Sequence, residues 1–138
     1  IIVPEVIKDY LRFGNEIRKL NQNESEACTW TQRFPQDGII NWNTMTAREV
    51  INLVRALDEP YPGAYTYLCG MKIIIKKAQV HPEYIRGVPG RYIGIRKGKI
   101  SIIASDRAVA ILDFEVSNKS KNEVKLLLKI GANASNEA

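Results

Sequence analysis

The 138-residue sequence is poor in the residues from which metal and redox sites are built. It contains two cysteines, Cys28 and Cys69, and one histidine, His81. The cysteines stand far apart with no cysteine or histidine near them, so zinc-type spacing and a C-x-x-C redox pair are both absent. We expect two reduced thiols. A lone histidine excludes a site with two histidine ligands, and its surroundings favour a turn residue over a general base. The sequence therefore predicts no metal site.

Long apolar runs are also missing, although apolar residues make up 45% of the chain. No run approaches the roughly 20 residues needed to span a bilayer. The first ten residues carry acidic side chains and lack the apolar core of a secretory signal. There is no initiator methionine, which indicates a chain that begins partway through a longer protein. We expect a cytoplasmic protein without a membrane partner, built as one domain or as one small domain with an appendage.

The net charge of +5 is unevenly distributed. Residues 1–70 contain seven Lys/Arg against nine Asp/Glu, whereas residues 71–130 contain thirteen against five. A basic half of this kind attracts anionic partners, such as nucleic acid or a phosphorylated small molecule. The alternative is a sheet whose lysines face the solvent, and the sequence leaves both interpretations open.

Helical spacing and a turn signal organise the first part of the chain. Apolar residues recur at helical spacing over residues 4–20, with an interruption at Gly14. Residues 27–34 and 39–42 are short, rich in aromatic or β-branched residues, and separated by the turn sequence at 35–38. The pattern predicts a helix followed by a β-hairpin.

A second helix follows the predicted hairpin. Thr46 and Glu49 have the spacing of a capping box, in which the threonine caps the helix and the glutamate reaches back to the threonine amide. The residues that line one apolar face of this helix are Val50, Ile51, Val54 and Leu57. The helix has to end before the rigid, proline-rich segment 60–63.

The second half of the sequence has a period of two, which predicts β-strands joined by tight turns. The predicted strands are residues 65–68, 71–79, 91–96, 99–104, 108–116 and 123–130. Since no crossover helices separate them, the sheet has to be antiparallel, and a small OB-like barrel would protect its edges. The final residues are small and polar, and we expect them to be disordered.

The predicted fold is α+β but mainly β: a small antiparallel OB-like barrel preceded by an amphipathic helix and a hairpin–helix linker. The expected divisions are a helix and connector at 1–26, the linker at 27–63, the barrel at 64–131 and a disordered tail at 132–138.

The middle of the chain contains a recognisable order of residue types. Residues 33–42 read Arg-x-Pro-x-Asp-Gly-x-Ile-x-Trp, a capped helix containing Arg55-Ala56 follows, and residues 60–64 read Pro-x-Pro-Gly-Ala. This order resembles the region where folate-dependent formyltransferases leave their catalytic domain and enter their C-terminal domain. The similarity extends over most of the chain.

The resemblance implies that this chain is the C-terminal portion of a formyltransferase, which passes a formyl group from 10-formyltetrahydrofolate to an amine. In that family an upstream α/β domain binds the folate and holds an Asn, a His and an Asp near a Ser-Leu-Leu-Pro segment. Nothing here matches that set, and His81 does not correspond to the catalytic histidine. The resemblance thus implies no catalytic residue and no cofactor in this chain, which should be inactive alone. The first helix would belong to the upstream domain or its linker.

Two branches of the family differ in their acceptor. A basic barrel would suit initiator tRNA, whereas Arg33-Phe34-Pro35 and Tyr61-Pro62-Gly63 look more like the enzymes that formylate nucleotide-linked sugars, the branch we favour. Candidate substrate-binding residues are Arg33, Trp42 and Arg55. The two arginines either hold phosphate or form ordinary ion pairs. Trp42 either lines an acceptor pocket or, as we favour, belongs to the core.

Two functions of other classes stay open. One is a free-standing nucleic-acid-binding barrel, which the basic half supports, although the sequence lacks a clustered alternation of arginine and aromatic residues. The other is a purely structural oligomerisation domain. The expected partners are the upstream catalytic domain and a nucleotide-sugar or tRNA acceptor, with a homodimer left open.

Overall fold

The computed structural model describes residues 3–16, 21, 23–96, 99–116, 119, 121–128 and 130–135. The chain divides into two units, residues 1–32 and residues 33–138. The first unit contains helix α1, Val3–Phe13, which ends where Gly14 enters the left-handed region at φ = 55°. Glycine adopts this conformation without strain, so the predicted interruption is confirmed. A 3-10 turn, Gly14–Glu16, follows, and residues 17–20 of the predicted helix lie outside the described residues.

The second unit is built around one curled antiparallel sheet. Its strands are β1 (Ala64–Leu68), β2 (Met71–Val80), β3 (Tyr92–Arg96), β4 (Lys99–Ile103), β5 (Ala108–Val116) and β6 (Ala134–Ser135). They lie in the order β3-β4-β5-β2-β1-β6, and all neighbours are antiparallel. This confirms the mainly β fold and both predicted hairpins of the sheet, although the turn at 97–98 lies outside the described residues.

Helix α2, Ala47–Ala56, packs against β2. Thr46 Oγ1 accepts a hydrogen bond from the amide of Glu49 (3.3 Å), and Glu49 Oε2 accepts one from the amide of Thr46 (2.7 Å), so the predicted capping box is confirmed. The buried residues of the helix include Val50, Ile51 and Val54, as predicted.

The C-terminal residues complete the sheet, and the prediction of a disordered tail is wrong for residues 132–135. Strand β6 pairs with β1. The Ala134 amide also donates to the carbonyl of Gly90 (2.7 Å), and the Tyr92 amide donates to the carbonyl of Ala132 (2.8 Å). The final segment therefore bridges the two sides of the curled sheet. These bonds use only backbone atoms, so the small polar side chains gave no sign of them. Residues 136–138 lie outside the described residues.

The last predicted strand, 123–130, is instead largely a helix. Helix α3, Lys121–Leu127, presents Val124 to the core, and Leu128, four residues on, is also buried. Because i and i+4 share a helix face, the apolar pattern is satisfied by one side of a helix. Lys121 hydrogen-bonds to Asp113 of β5, and this bond lowers the pKa of Asp113.

The predicted hairpin over residues 27–42 does not form. Residues 27–34 are exposed and irregular, and Pro35–Gly38 is a 3-10 turn. Ile39 makes a parallel bridge to Tyr65 of β1, and the Ile40 amide donates to the Tyr65 carbonyl (2.9 Å). The second half of the predicted hairpin therefore pairs with the sheet, and residues 27–34 have no partner strand among the described residues.

One apolar cluster holds the second unit together. It combines the buried face of α2, side chains from β1 to β5, Ile40, Trp42, and the two buried residues at α3. Burying a large aliphatic side chain contributes about 1.5–3 kcal/mol, so this cluster supplies most of the driving force for folding. Within the described part of the chain, every helix is too short or too polar to cross a membrane.

Candidate functional site

A cleft of about 460 Å³ opens in the first part of the second unit. Its walls are the 3-10 turn with the two residues before it, the end of α2, and the proline-rich connection to β1. The lining residues are Arg33, Phe34, Pro35, Gly38, Ala56, Leu57, Tyr61, Pro62 and Gly63. Sites for small organic ligands span roughly 300–1,000 Å³, so the cleft is large enough for part of a substrate.

The 3-10 turn holds the first wall in place. Asp37 Oδ2 accepts a hydrogen bond from the amide of Phe34 (2.7 Å), which confirms Asp37 as a turn residue. Gly38 is buried, and a Cβ at this position would lie 2.9 Å from the carbonyl oxygen of Gly63. The two walls therefore meet through their backbones, and this close approach requires glycine at position 38.

The opposite wall is anchored to the sheet. Gly63 adopts φ = 88°, and a Cβ there would lie 2.6 Å from Ile74 Cγ2 of β2. Lys76, also on β2, lies 3.7 Å from Glu59 just before this wall. Glu59 is largely exposed, and exposed ion pairs contribute at most about 1 kcal/mol. The packing of Gly63 against Ile74 is thus the stronger constraint on the wall.

The side chains that line the cleft are mainly apolar, and one of them is charged. Among the described lining residues, the formal charge is carried by Arg33. The side chains of Phe34 and Tyr61 are 54% and 59% exposed, so both rings are accessible to a ligand. An aromatic ring offers a stacking face, and a guanidinium binds phosphate or carboxylate with two parallel hydrogen bonds. The cleft therefore suits a ligand with a planar part and an anionic part.

The three predicted substrate-binding residues have different surroundings. Arg33 lines the cleft. Trp42 is 3% exposed in the core, where its Nε1 donates to Thr66 Oγ1 (3.0 Å), in agreement with the core interpretation. Arg55 is exposed on α2 and does not line the cleft.

Phe34, Leu57 and Tyr61 also line the cleft, although none of the three was among the candidate substrate-binding residues. A signal was present for the two aromatic residues, because each directly precedes a proline. Proline restricts the residue before it to extended conformations, which keeps that residue out of helices. Leu57 follows α2 as its C-cap, and its position gives no such signal.

The histidine and the two cysteines do not form a shared reactive site in the described part of the chain. His81 is 2% exposed, and its Nδ1 accepts a hydrogen bond from the Glu83 amide (3.1 Å), which makes it part of a turn. Cys28 and Cys69 are exposed with free thiols. No three His, Cys, Asp or Glu side chains among the described residues are placed to hold a metal ion.

The curled sheet, the capped helix and the cleft together form a small, mainly β domain. Residues 33–130 match the family model described as the formyl transferase C-terminal domain. This match covers most of the chain, and the chain belongs to that family. The resemblance found in the order of residues 33–64 is thereby confirmed.

Relatives of the chain are much longer proteins. The bifunctional polymyxin resistance protein ArnA of Wigglesworthia glossinidia brevipalpis is 39% identical over 69 residues, which are 50% of this chain and 10% of ArnA. HypX from Aquifex aeolicus in complex with tetrahydrofolic acid aligns with a TM-score of 0.54 and 24% identity, over 85% of this chain and 20% of HypX. A multiply substituted HypX variant aligns at 22% identity over 84% of this chain, with the same TM-score of 0.54. At these identities the HypX structures show the fold alone.

The residues of the cleft do not fit a folate. The pterin ring of a folate has several donors and acceptors, and each needs a hydrogen-bond partner when it is buried. The polar side chains among the described lining residues are those of Arg33 and Tyr61. A pterin buried in this cleft would therefore leave most of these groups without a side-chain partner, whereas a base stacked on one of the exposed rings keeps its polar edge in the solvent.

Proposed function

We propose that this chain is the C-terminal domain of an enzyme that passes a formyl group from 10-formyltetrahydrofolate to the amino group of a nucleotide-linked sugar. Membership of the formyltransferase family supports the reaction class. One observation carries the choice of acceptor: the two segments that look like the sugar branch, 33–35 and 61–63, line the same cleft. The folate and the catalytic residues belong to an upstream domain.

In this proposal the cleft receives the nucleotide part of the acceptor. The Arg33 guanidinium pairs with a phosphate, and the rings of Phe34 and Tyr61 offer faces to the base. The sugar amine extends towards the upstream domain. These contacts are far from the reacting atoms and hold substrate and transition state equally, so they contribute to substrate affinity, and their loss should raise KM with little change in kcat.

The first test separates the chain from the upstream domain. The purified chain is expected neither to bind 10-formyltetrahydrofolate by calorimetry nor to formylate a nucleotide-linked amino sugar, as followed by mass spectrometry. The full-length parent is expected to do both. Turnover by the chain, free of the parent enzyme, would refute the placement of the chemistry upstream.

The second test compares two arginines of the parent enzyme. Arg33→Gln is expected to raise KM for the nucleotide-linked sugar about tenfold, the effect of losing roughly 1.4 kcal/mol of binding, with little change in kcat. Arg55→Gln removes the same charge from an exposed site outside the cleft and should leave both constants unchanged. Equal effects of the two substitutions would contradict the role given to the cleft.

A methionyl-tRNA formyltransferase is the second candidate. It is supported by the thirteen Lys/Arg against five Asp/Glu in residues 71–130, a balance that suits a polyanion. Selective binding of initiator tRNA to this chain would favour it over the sugar enzyme.

A further inference from the structure

The cleft offers few groups that could read the polar edge of a nucleobase. Among the lining residues that the structure describes, Arg33 and Tyr61 have polar side chains. Pro35 and Pro62 contribute no amide hydrogen, because proline lacks a backbone N–H. Recognition of a base edge would therefore depend on the remaining backbone groups of the lining.

Several of these backbone groups are already bonded within the protein. The Phe34 amide donates to Asp37 Oδ2 (2.7 Å), and the Phe34 carbonyl accepts from the Asp37 amide (2.9 Å). The amides of Leu57 and Tyr61 donate to carbonyl groups four and three residues before them (3.0 and 3.1 Å). A bonded amide has no second hydrogen to give, so these amides cannot donate to a ligand.

Apolar and backbone atoms close the place where the two walls meet. A Cβ on Gly38 would lie 2.9 Å from the Gly63 carbonyl oxygen and 3.2 Å from Leu57 Cδ1. A base cannot enter between the walls at this point, and it meets no polar side chain there. The flat surfaces left for it are the rings of Phe34 and Tyr61, both of which are more than half exposed.

The charged group of the cleft matches a part that all nucleotides share. The Arg33 side chain is exposed, and among the described residues it has no carboxylate partner. A guanidinium pairs with phosphate through two parallel hydrogen bonds. Phosphate is the same in every nucleotide, so this contact contributes affinity without selecting a base.

We propose that the cleft recognises a nucleoside diphosphate by its phosphate and by the face of its base, without distinguishing one base from another. Such recognition rests on the proposed function and names the class of nucleotide-linked sugars that the cleft accepts. Every base has a π-face that can stack on an aromatic ring. Discrimination needs donors and acceptors placed against the base edge, where one paired contact changes affinity roughly fivefold or more. Any base preference of the parent enzyme would then come from its upstream domain.

The test uses the purified 138-residue chain, because it separates the cleft from the upstream domain. The chain is titrated with the diphosphates of uridine, thymidine, adenosine and guanosine, and the affinities are measured by NMR. The two pyrimidine nucleotides are expected to bind within about twofold of each other, and the purines at most roughly fivefold more tightly, since their stacking face is larger. Inorganic pyrophosphate, which has no base to stack, should bind roughly tenfold more weakly than any of them.

Two substitutions of Tyr61 separate its ring from its hydroxyl group. Tyr61→Leu should weaken the binding of all four nucleotides by a similar factor, about fivefold, because it removes a stacking face. Tyr61→Phe keeps the ring, so the ratios among the four affinities should stay those of the native chain. Arg55→Gln is the matched control for charge, because Arg55 is exposed on α2 and does not line the cleft.

The outcomes distinguish the specificity of the cleft from the proposed function. A preference of more than about tenfold for one base, with Arg33→Gln still weakening every nucleotide, would overturn base-independent recognition and leave the nucleotide-sugar role intact. Altered ratios in Tyr61→Phe would also overturn it and assign the reading of the base to the hydroxyl group. If none of the diphosphates binds, or if Arg33→Gln weakens binding no more than Arg55→Gln, the role of the cleft in the proposed function fails as well.

Discussion

Two carboxylates and one hydroxyl satisfy amide groups at the start of α2. Glu49 and Thr46 bond to each other's amides, and Asp106 accepts the hydrogen bond of the Ala47 amide. Negative charge is favourable at a helix N-terminus, so both carboxylates also stabilise the helix electrostatically. Because Ala56 at the other end of α2 lines the cleft, these bonds also fix one wall of the proposed substrate site.

Replacing Thr46 with alanine should destabilise the second unit by about 1 kcal/mol, the usual effect of losing an N-cap. Thr46→Ser keeps the hydroxyl group and should lose much less. Urea denaturation gives both values. An unchanged midpoint for Thr46→Ala at an unchanged slope would show that the hydroxyl does not stabilise the start of the helix.

The capping box should also depend on pH. Hydrogen bonds from the amide and hydroxyl of Thr46 lower the pKa of Glu49 below its ordinary value of 4.5. The stabilisation from the ionised carboxylate is therefore complete above about pH 4.5 and is lost as the pH falls through the lowered pKa. The stability difference between the native chain and Glu49→Gln should therefore shrink as the pH falls from about 6 through 4.5 and on through the lowered pKa. A difference that stays constant, like that expected for Arg48→Gln, would contradict this.

Local chemistry explains which residues the sequence could predict. Thr46 and Glu49 are three positions apart and bond to each other, so their spacing alone predicts the capping box. Arg33 and Arg55 looked equivalent as candidates, and only the fold separates them. The wall containing Gly63 meets the wall containing Gly38, and this long-range approach places Arg33 in the cleft and leaves Arg55 outside it.

At the scale of secondary-structure elements, the short final segment pairs with more of the sheet than its small, polar residues suggest. Residues 132–135 form backbone bonds to β1 on one side and to Gly90 and Tyr92 on the other. An unpaired edge strand exposes amide and carbonyl groups that invite association with other chains. The segment therefore protects two edges of the sheet with a few small residues.

Gly90→Ala tests this contact. Gly90 has φ = 79°, and an added Cβ would lie 2.9 Å from the carbonyl oxygen of Ala134. Gly70→Ala is the matched control, because Gly70 has φ = 70° and no atom within 4 Å of an added Cβ. Both variants should lose about 1 kcal/mol from left-handed strain, and Gly90→Ala should lose roughly a further 1–3 kcal/mol from the clash. If urea denaturation gives equal losses of stability for the two variants, the final segment moves aside for the added methyl group without cost.

Errors in the element predictions have related causes. Residues 123–130 have an apolar pattern that either a strand or a helix can satisfy, and the buried position of Val124 and Leu128 on one face decided for the helix. Residues 27–34 have strand-forming composition but no partner strand in the described part of the chain, since Ile39 and Ile40 pair with β1. Pairing partners are a property of the tertiary fold, and no local window of sequence contains them.

On the scale of the whole molecule, the uneven charge has two interpretations that differ in specificity. A basic surface raises the local concentration of any polyanion, whatever its sequence. A domain that selects one tRNA needs several contacts at once to a defined shape. The basic balance of residues 71–130 predicts the first kind of binding and does not by itself predict the second.

Binding of tRNA therefore distinguishes the two candidate acceptors. A dedicated tRNA surface with about four phosphate contacts would give a log–log salt slope near −3 to −4, on a coefficient of about 0.9 for each contact to duplex. If the acceptor is a nucleotide-linked sugar, the chain should bind labelled initiator and elongator tRNAs weakly and with equal affinity. Its salt slope should also be shallower, since fewer phosphates would be contacted at once. Titrations of both tRNAs at several salt concentrations measure the two affinities and the salt slope. Tight binding near physiological salt, with a clear preference for the initiator species, would rule out the sugar acceptor and favour the tRNA enzyme.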